Sequence, residues 1–231
     1  MSSQFTSRRT FSAEKLEALR KSMQPLEADY PDICVYATGS LGRLEACKHS
    51  DLDVFRISCA QRNKSSAAGD LTLLCALHQE SKKLGFPEFT DGGVYLKVIS
   101  LEEMLKHLGS TADDANNYFT ARLLLLLESQ PLLNTTAYAT IVDRVLDRYY
   151  KDFSEHSSSF QAVFLVNDIV RYWKTLCMNY EEKRNLSGLT DEQKAKARVK
   201  NLKLKFSRLW TCFSLLIPLS TNLSISQSAL R

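Results

Sequence analysis

The chain has 231 residues, 44% of them apolar and 24% charged, with 8 Gly and 5 Pro; this is globular usage and excludes collagen-like and low-complexity classes. The formal net charge is +4, but no Asp or Glu follows Glu192, and the eight cations beyond it (Lys194, Lys196, Arg198, Lys200, Lys203, Lys205, Arg208 and Arg231) leave residues 1–192 at −4. A mildly acidic body with a basic last segment excludes a uniformly cationic coat for nucleic acid while leaving room for a local anion site.

In chain order, Leu16, Leu19, Met23 and Leu26 share one helical face, so a helix is expected over 12–27. After Pro31-Asp32, Ile33-Cys34-Val35-Tyr36-Ala37 reads as a strand that ends at Thr38-Gly39-Ser40. A turn-rich stretch runs to Ser50, and Leu52, Val54, Phe55 and Ile57 predict a second strand. Residues 61–69 form a polar loop. Leu71, Leu74, Leu77 and Leu84 predict a helix over 70–84, and Val94 to Val98 a third strand behind the turn Asp91-Gly92-Gly93. Beyond residue 100 the pattern is helical, with helices expected at 100–108, 115–130, 136–153, 158–183 and 190–217. Ser100 and Thr190 open capping boxes, and Pro131 and Gly188 act as stops. Strands confined to the first hundred residues make this an α+β chain: a small mixed-sheet head over 1–110 and a helical bundle over 111–231.

Arg8 and Arg9 are followed by no apolar run, so a secretory leader is not expected. Leu123–Leu127 and Leu209–Leu219 fall short of the roughly 20 apolar residues a membrane span requires. Six cysteines lack C-x-x-C or zinc spacing and read as reduced core thiols of a cytoplasmic protein.

The stretch with chemical content is Thr38-Gly39-Ser40-Leu41-Gly42-Arg43-Leu44-Glu45, leading to Ser50-Asp51-Leu52-Asp53. Asp51 and Asp53, two apart on an extended chain, point to one side. Adjacent carboxylates repel unless a cation lies between them, and a hard divalent ion suits oxygen ligands. Gly39-Ser40, just past a strand, permits a tight turn whose amides and hydroxyl can receive phosphate oxygens. Gly42 allows close backbone approach, and Arg43 offers a forked cation for phosphate or for a neighbouring carboxylate. Glu45 is either a metal ligand or, more simply, the partner of Arg43. A phosphate cradle facing a metal pair is the apparatus of phosphoryl or nucleotidyl transfer.

Gly39-Ser40, ten intervening residues and Asp51-x-Asp53, with Gly42-Arg43-x-Glu45 and Ser50 between, resemble the nucleotidyltransferase superfamily of polymerase beta-like enzymes. The closest likeness is to the branch of PII-protein uridylyltransferases, glutamine-synthetase adenylyltransferases and related uncharacterised bacterial nucleotidyltransferases. The tight motif spans about 17 residues, with a looser likeness at Phe119–Leu123 and Asn167–Trp173. The resemblance implies an enzyme that moves an NMP from an NTP such as ATP to an acceptor hydroxyl, on a protein or an RNA end. Gly39 and Ser40 would hold the triphosphate, and Asp51 and Asp53 would bind Mg2+ or Mn2+. Such enzymes usually carry a third carboxylate on a later strand. Val94 to Ile99 holds none, which leaves Asp91, or Glu88, as the candidate; the alternative for Asp91 is turn chemistry. Lys200 and Lys203, on the basic helix, are candidates for the triphosphate, against the plainer reading of a solvated face. The competing function is a nucleotide-binding regulator, of toxin–antitoxin type, with little catalysis.

Overall fold

A computed structural model describes residues 3–60, 67–89, 93, 95–156 and 160–221. The elements are α1 (Ser3–Met23), β1 (Ile33–Ala37), α2 (Gly39–Gly42), β2 (Val54–Ser58), α3 (Ala67–Lys83), β3 (Val98–Ser100), α4 (Leu101–Lys106), α5 (Thr111–Ala115), α6 (Tyr118–Glu128), β4 (Gln130–Leu133), α7 (Thr135–Tyr149), α8 (Val163–Arg184), α9 (Asp191–Lys203) and α10 (Leu209–Thr221), with a π-helical segment, Leu204–Arg208, joining the last two. The α+β class is as expected. Two compact units are present, Met1–Val145 and Leu146–Arg231, where the sequence pointed to 1–110 and 111–231.

The longer first unit has a specific origin. The four-stranded sheet runs β3-β2-β1-β4, and its fourth strand lies beyond residue 110, in a region expected to be helical throughout. β4 pairs antiparallel with β1 through Val35↔Leu133, Tyr36↔Pro131 and Ala37↔Gln130, with a register shift between Val35 and Tyr36. As an edge strand it tolerates Pro131, which has no N–H to give to a ladder. Asn134, at φ +55°, ties the strand down: its amide side chain donates to the carbonyls of Tyr30 (2.7 Å) and Ile33 (2.6 Å), and its N–H donates to Glu27 (3.0 Å).

β1 and β2 are central and buried along their whole length, which explains the near-continuous apolar run of Ile33–Ala37. They pair antiparallel from Ile33↔Ser58 to Ala37↔Val54. One face of the sheet carries Ile33, Val35, Ala37 and Val54, packed with Leu52 before β2, Leu16, Leu19 and Met23 of α1 and Leu73 and Leu77 of α3. The other carries Tyr36, stacked on Phe55 at 5.7 Å and donating its hydroxyl to the Ala121 carbonyl of α6 at 3.0 Å.

The third strand is shorter and later than its sequence pattern. Val98–Ser100 lies parallel to β2, whereas Tyr95 and Leu96 form a helical turn. Buried Arg56 reaches across to that turn, donating to the Leu96 carbonyl (2.5 Å) and to Asp70 of α3 (2.8 Å). The α5–α6 corner is locked by Arg122 and Asp113, both fully buried and bonded through two parallel contacts of 2.9 and 2.8 Å.

The second unit holds α8, α9 and α10, with α9 and α10 packed on α8. Its core includes Leu165, Ile169, Leu204 and Cys212. Tyr149 donates to Asp168 at 2.6 Å, and half-buried Trp173 meets Phe213 edge-on at 5.9 Å. No helix among the described residues is long and apolar enough to cross a membrane.

Candidate functional site

The site grows out of the end of β1. The Thr38 N–H donates to the Asp53 carbonyl at 2.8 Å, extending the β1–β2 pairing by one step. Gly39 then takes φ +65°, a left-handed conformation that costs an L side chain about 1–2 kcal/mol. The chain turns into α2, closed by Gly42 N–H to Thr38 (3.1 Å) and Arg43 N–H to Gly39 (3.1 Å). Leu41 and Gly42 are buried, while Ser40 is half-buried at the mouth of the turn. Leu44 also lies at positive φ, +58°, a rare state for a bulky residue.

Asp51, Leu52 and Asp53 form an extended run that precedes β2 and is not part of it. The expected second strand therefore starts two residues late, but the alternation survives. Leu52 is buried in the α1/α3 core, and the half-buried carboxylates on either side point away from it. A Cβ placed on Gly39 would stand 2.7 Å from Oδ2 of Asp53. The Gly-Ser turn and the second aspartate, 14 residues apart in sequence, are thus in direct contact.

Gly42 and Arg43 have partners inside the fold. A Cβ on Gly42 would lie 2.0 Å from the Glu128 carbonyl oxygen and 3.2 Å from that of Ala37, so the close approach this glycine permits is between α2 and the end of α6. The Arg43 Nε donates to Glu45 at 3.1 Å, and its Nη1 donates to Glu128. Burial acts to lower the Arg43 pKa, but Glu128 and then Glu45 outweigh it, and the net displacement is upward. Glu45 is accordingly the partner of Arg43, the simpler of its two readings. Glu128 was not among the residues singled out from sequence. Its one sequence-level signal is a carboxylate on the last residue of a helix, where the macrodipole disfavours negative charge unless a cation is near.

Asp91 lies outside the described residues. Glu88, exposed, pairs with Lys82 of α3 at 3.2 Å. Lys200 and Lys203 belong to α9 of the second unit, whereas every residue of the site described here belongs to the first.

Four of the five charged side chains Arg43, Glu45, Asp51, Asp53 and Glu128 are carboxylates, so this region favours a cation over a bare phosphate. Among the described residues no three His, Cys, Asp or Glu side chains are grouped to hold a metal ion. Mg2+ needs no such group: it characteristically takes one or two carboxylates and fills its octahedron with water and substrate phosphates. Asp53, beside the Gly39 turn, and Asp51, two residues earlier on the same run, would supply the one or two carboxylates that such an ion takes. Among known proteins, no family model, curated sequence or solved structure matches the chain.

Proposed function

We propose that the first unit is a metal-dependent nucleotidyltransferase that moves an NMP from an NTP to an acceptor hydroxyl of a protein or an RNA end. The observation that carries this reading is the contact between Asp53 and Gly39. It sets a carboxylate against a turn whose backbone can receive phosphate oxygens, as catalysis by positioning and electrostatics demands. In this reading Asp51 and Asp53 hold Mg2+ or Mn2+, and Gly39 and Ser40 receive the triphosphate. The bound metal supplies charge neutralisation on the transferring phosphoryl group. Arg43, held by Glu45 and Glu128, positions α2.

The test is incubation of the protein with each labelled NTP, Mg2+ and a cell lysate, which shows the NTP used and whether label enters protein or RNA. Asp51→Ala abolishes transfer; full transfer by that variant refutes the assignment of the carboxylate pair. A second reading, a nucleotide-binding regulator with little catalysis, is favoured by the neutralisation of Arg43. The forked cation nearest the turn already answers two carboxylates and has less to offer a triphosphate. That reading predicts Mg2+-dependent NTP binding with no release of pyrophosphate.

A further inference from the structure

The side of the sheet that carries Asp51 and Asp53 continues into a row of aromatic rings. Alternation along the extended chain puts Phe55 on the side of the two carboxylates, while Leu52 and Val54 face the α1/α3 core. Phe55 is stacked on Tyr36 of β1 at 5.7 Å, and on its other flank it meets Tyr95, with ring centroids 5.6 Å apart and ring planes 46° apart. Leu96 and Val98 pack against the α1/α3 core, so Tyr95 is turned to the opposite side, that of the aspartates. The direction of β3 sets its place along the sheet. β3 runs parallel to β2 with Val98 beside Arg56, so the chain just before Val98 approaches from the end of β2 where Asp53 lies. Tyr36 and Phe55 are 0% and 2% exposed, but Tyr95 is 40% exposed. It is a ring fixed by packing that still presents much of its surface to water.

We propose that Tyr95 is the platform for the base of the bound NTP, which rests on the nucleotidyltransferase reading of Asp51, Asp53 and the Gly39 turn. Three features follow one another across the sheet: the Gly39 turn at the end of β1, Asp53 just before β2, and Tyr95 on the approach to β3. Neighbouring strands lie about 4.8 Å apart, so the turn and the ring are separated by about two such spacings, about 10 Å. An NTP extends in the same order, from phosphates through ribose to base. With its phosphates at the turn and its metal at the carboxylates, its base is carried toward the β3 edge, where Tyr95 offers a flat apolar surface. Every base has a π-face, so stacking of this kind discriminates little among bases. Tyr95 therefore contributes to the binding of all four NTPs.

The full chain, with Mg2+ present, is titrated by calorimetry with inorganic tripolyphosphate and with ATP, GTP, CTP and UTP. The wild type binds the NTPs more tightly than tripolyphosphate. Tyr95→Ala and Tyr95→Leu each weaken NTP binding by about 5- to 150-fold, the range that loss of one stacked base produces, and leave tripolyphosphate binding unchanged. Tyr95→Phe keeps the ring and binds the NTPs as the wild type does. Leucine keeps an apolar contact for Phe55, so a loss shared by the alanine and leucine variants is not a packing defect. The proposal is overturned, with the metal and phosphate site left standing, if the wild type binds tripolyphosphate as tightly as the NTPs or if Tyr95→Leu binds the NTPs as the wild type does. It is also overturned if both variants lose tripolyphosphate and NTPs in the same proportion. A wild type that binds neither ligand overturns the reading of the Gly39 turn and the carboxylates, and the role of Tyr95 with it.

Discussion

Gly39→Ala separates backbone strain from carboxylate placement. Alanine at φ +65° loses about 1–2 kcal/mol from the left-handed conformation alone. Its Cβ would also stand 2.7 Å from Asp53 Oδ2, and ordinary contact begins at 3.4 Å, so the carboxylate must retreat by about 0.7 Å. A displacement on the order of 1 Å at a reacting centre costs about 100-fold, equivalent to about 2.7 kcal/mol. Gly85→Ala is the matched control: φ is +76° there, and nothing lies within 4 Å of the added carbon. The two variants are expected to lose similar stability in urea titrations. Only Gly39→Ala is expected to lose Mg2+-dependent NTP binding or transfer, measured by calorimetry and with labelled NTP. If Gly39→Ala binds and transfers as well as Gly85→Ala does, the position of Asp53 against the turn is irrelevant and the site is misassigned.

Three further outcomes follow from the packing. Gly42→Ala sets a carbon 2.0 Å from the Glu128 carbonyl, with the Ala37 carbonyl 3.2 Å away; because both neighbours are backbone, the loss is expected to reach or exceed the upper end of ordinary overpacking, about 3 kcal/mol, and a urea midpoint equal to that of Gly85→Ala contradicts it. Arg122→Ala leaves buried Asp113 without the two Arg122 bonds and with only the Gly109 N–H as donor, and is expected to cost about 3–5 kcal/mol, whereas Arg122→Met with Asp113→Leu recovers most of that; equal denaturation midpoints for the single and double variants would contradict this. Burial raises the pKa of the Cys34 thiol above its ordinary 9.0 and that of the Tyr36 phenol above 10.0. Both groups favour the protonated folded state, so their contribution is complete below pH 9 and is lost as the unfolded chain ionises above pH 9–10. A stability profile that rises between pH 9 and 11 contradicts that sign.

Legibility from sequence tracked how local each determinant is. β1 was readable to the residue, Ile33–Ala37, because it is apolar throughout and bounded by Asp32 and Gly39. β2 was readable as a strand but not in its start, since the Asp51–Asp53 run keeps the alternation without the full ladder. The third strand was displaced from its pattern by a long-range contact, the bond from Arg56 to the Leu96 carbonyl. β4 was not readable at all. Four residues containing a proline after an apolar helix look like a helix stop, and only pairing with β1 makes Gln130–Leu133 a strand.

The same locality divides the motif. Gly39 and Asp53 carry their meaning in residue type and spacing: a left-handed turn and an alternating carboxylate. Gly42 and Arg43 look as though they belong to the same device, yet their partner is Glu128, 85 residues from Arg43. No spacing rule reaches that far. Glu128 is positioned at the end of α6, where the chain enters β4, and β4 lies beside β1, whose end launches the Gly39 turn. The edge strand therefore brings the end of α6 to α2, and the pairing of Glu128 with Arg43 fixes the turn from outside. On this argument Glu128 is a positioning residue: Glu128→Gln weakens the hold on Arg43 without touching Asp51 or Asp53. Any loss of NTP binding in that variant would accompany movement of the Gly39–Gly42 turn, and hydrogen exchange at the Gly42 and Arg43 amides reports that movement independently of activity. Unchanged exchange at those amides, with binding lost, would give Glu128 a direct role at the ligand instead.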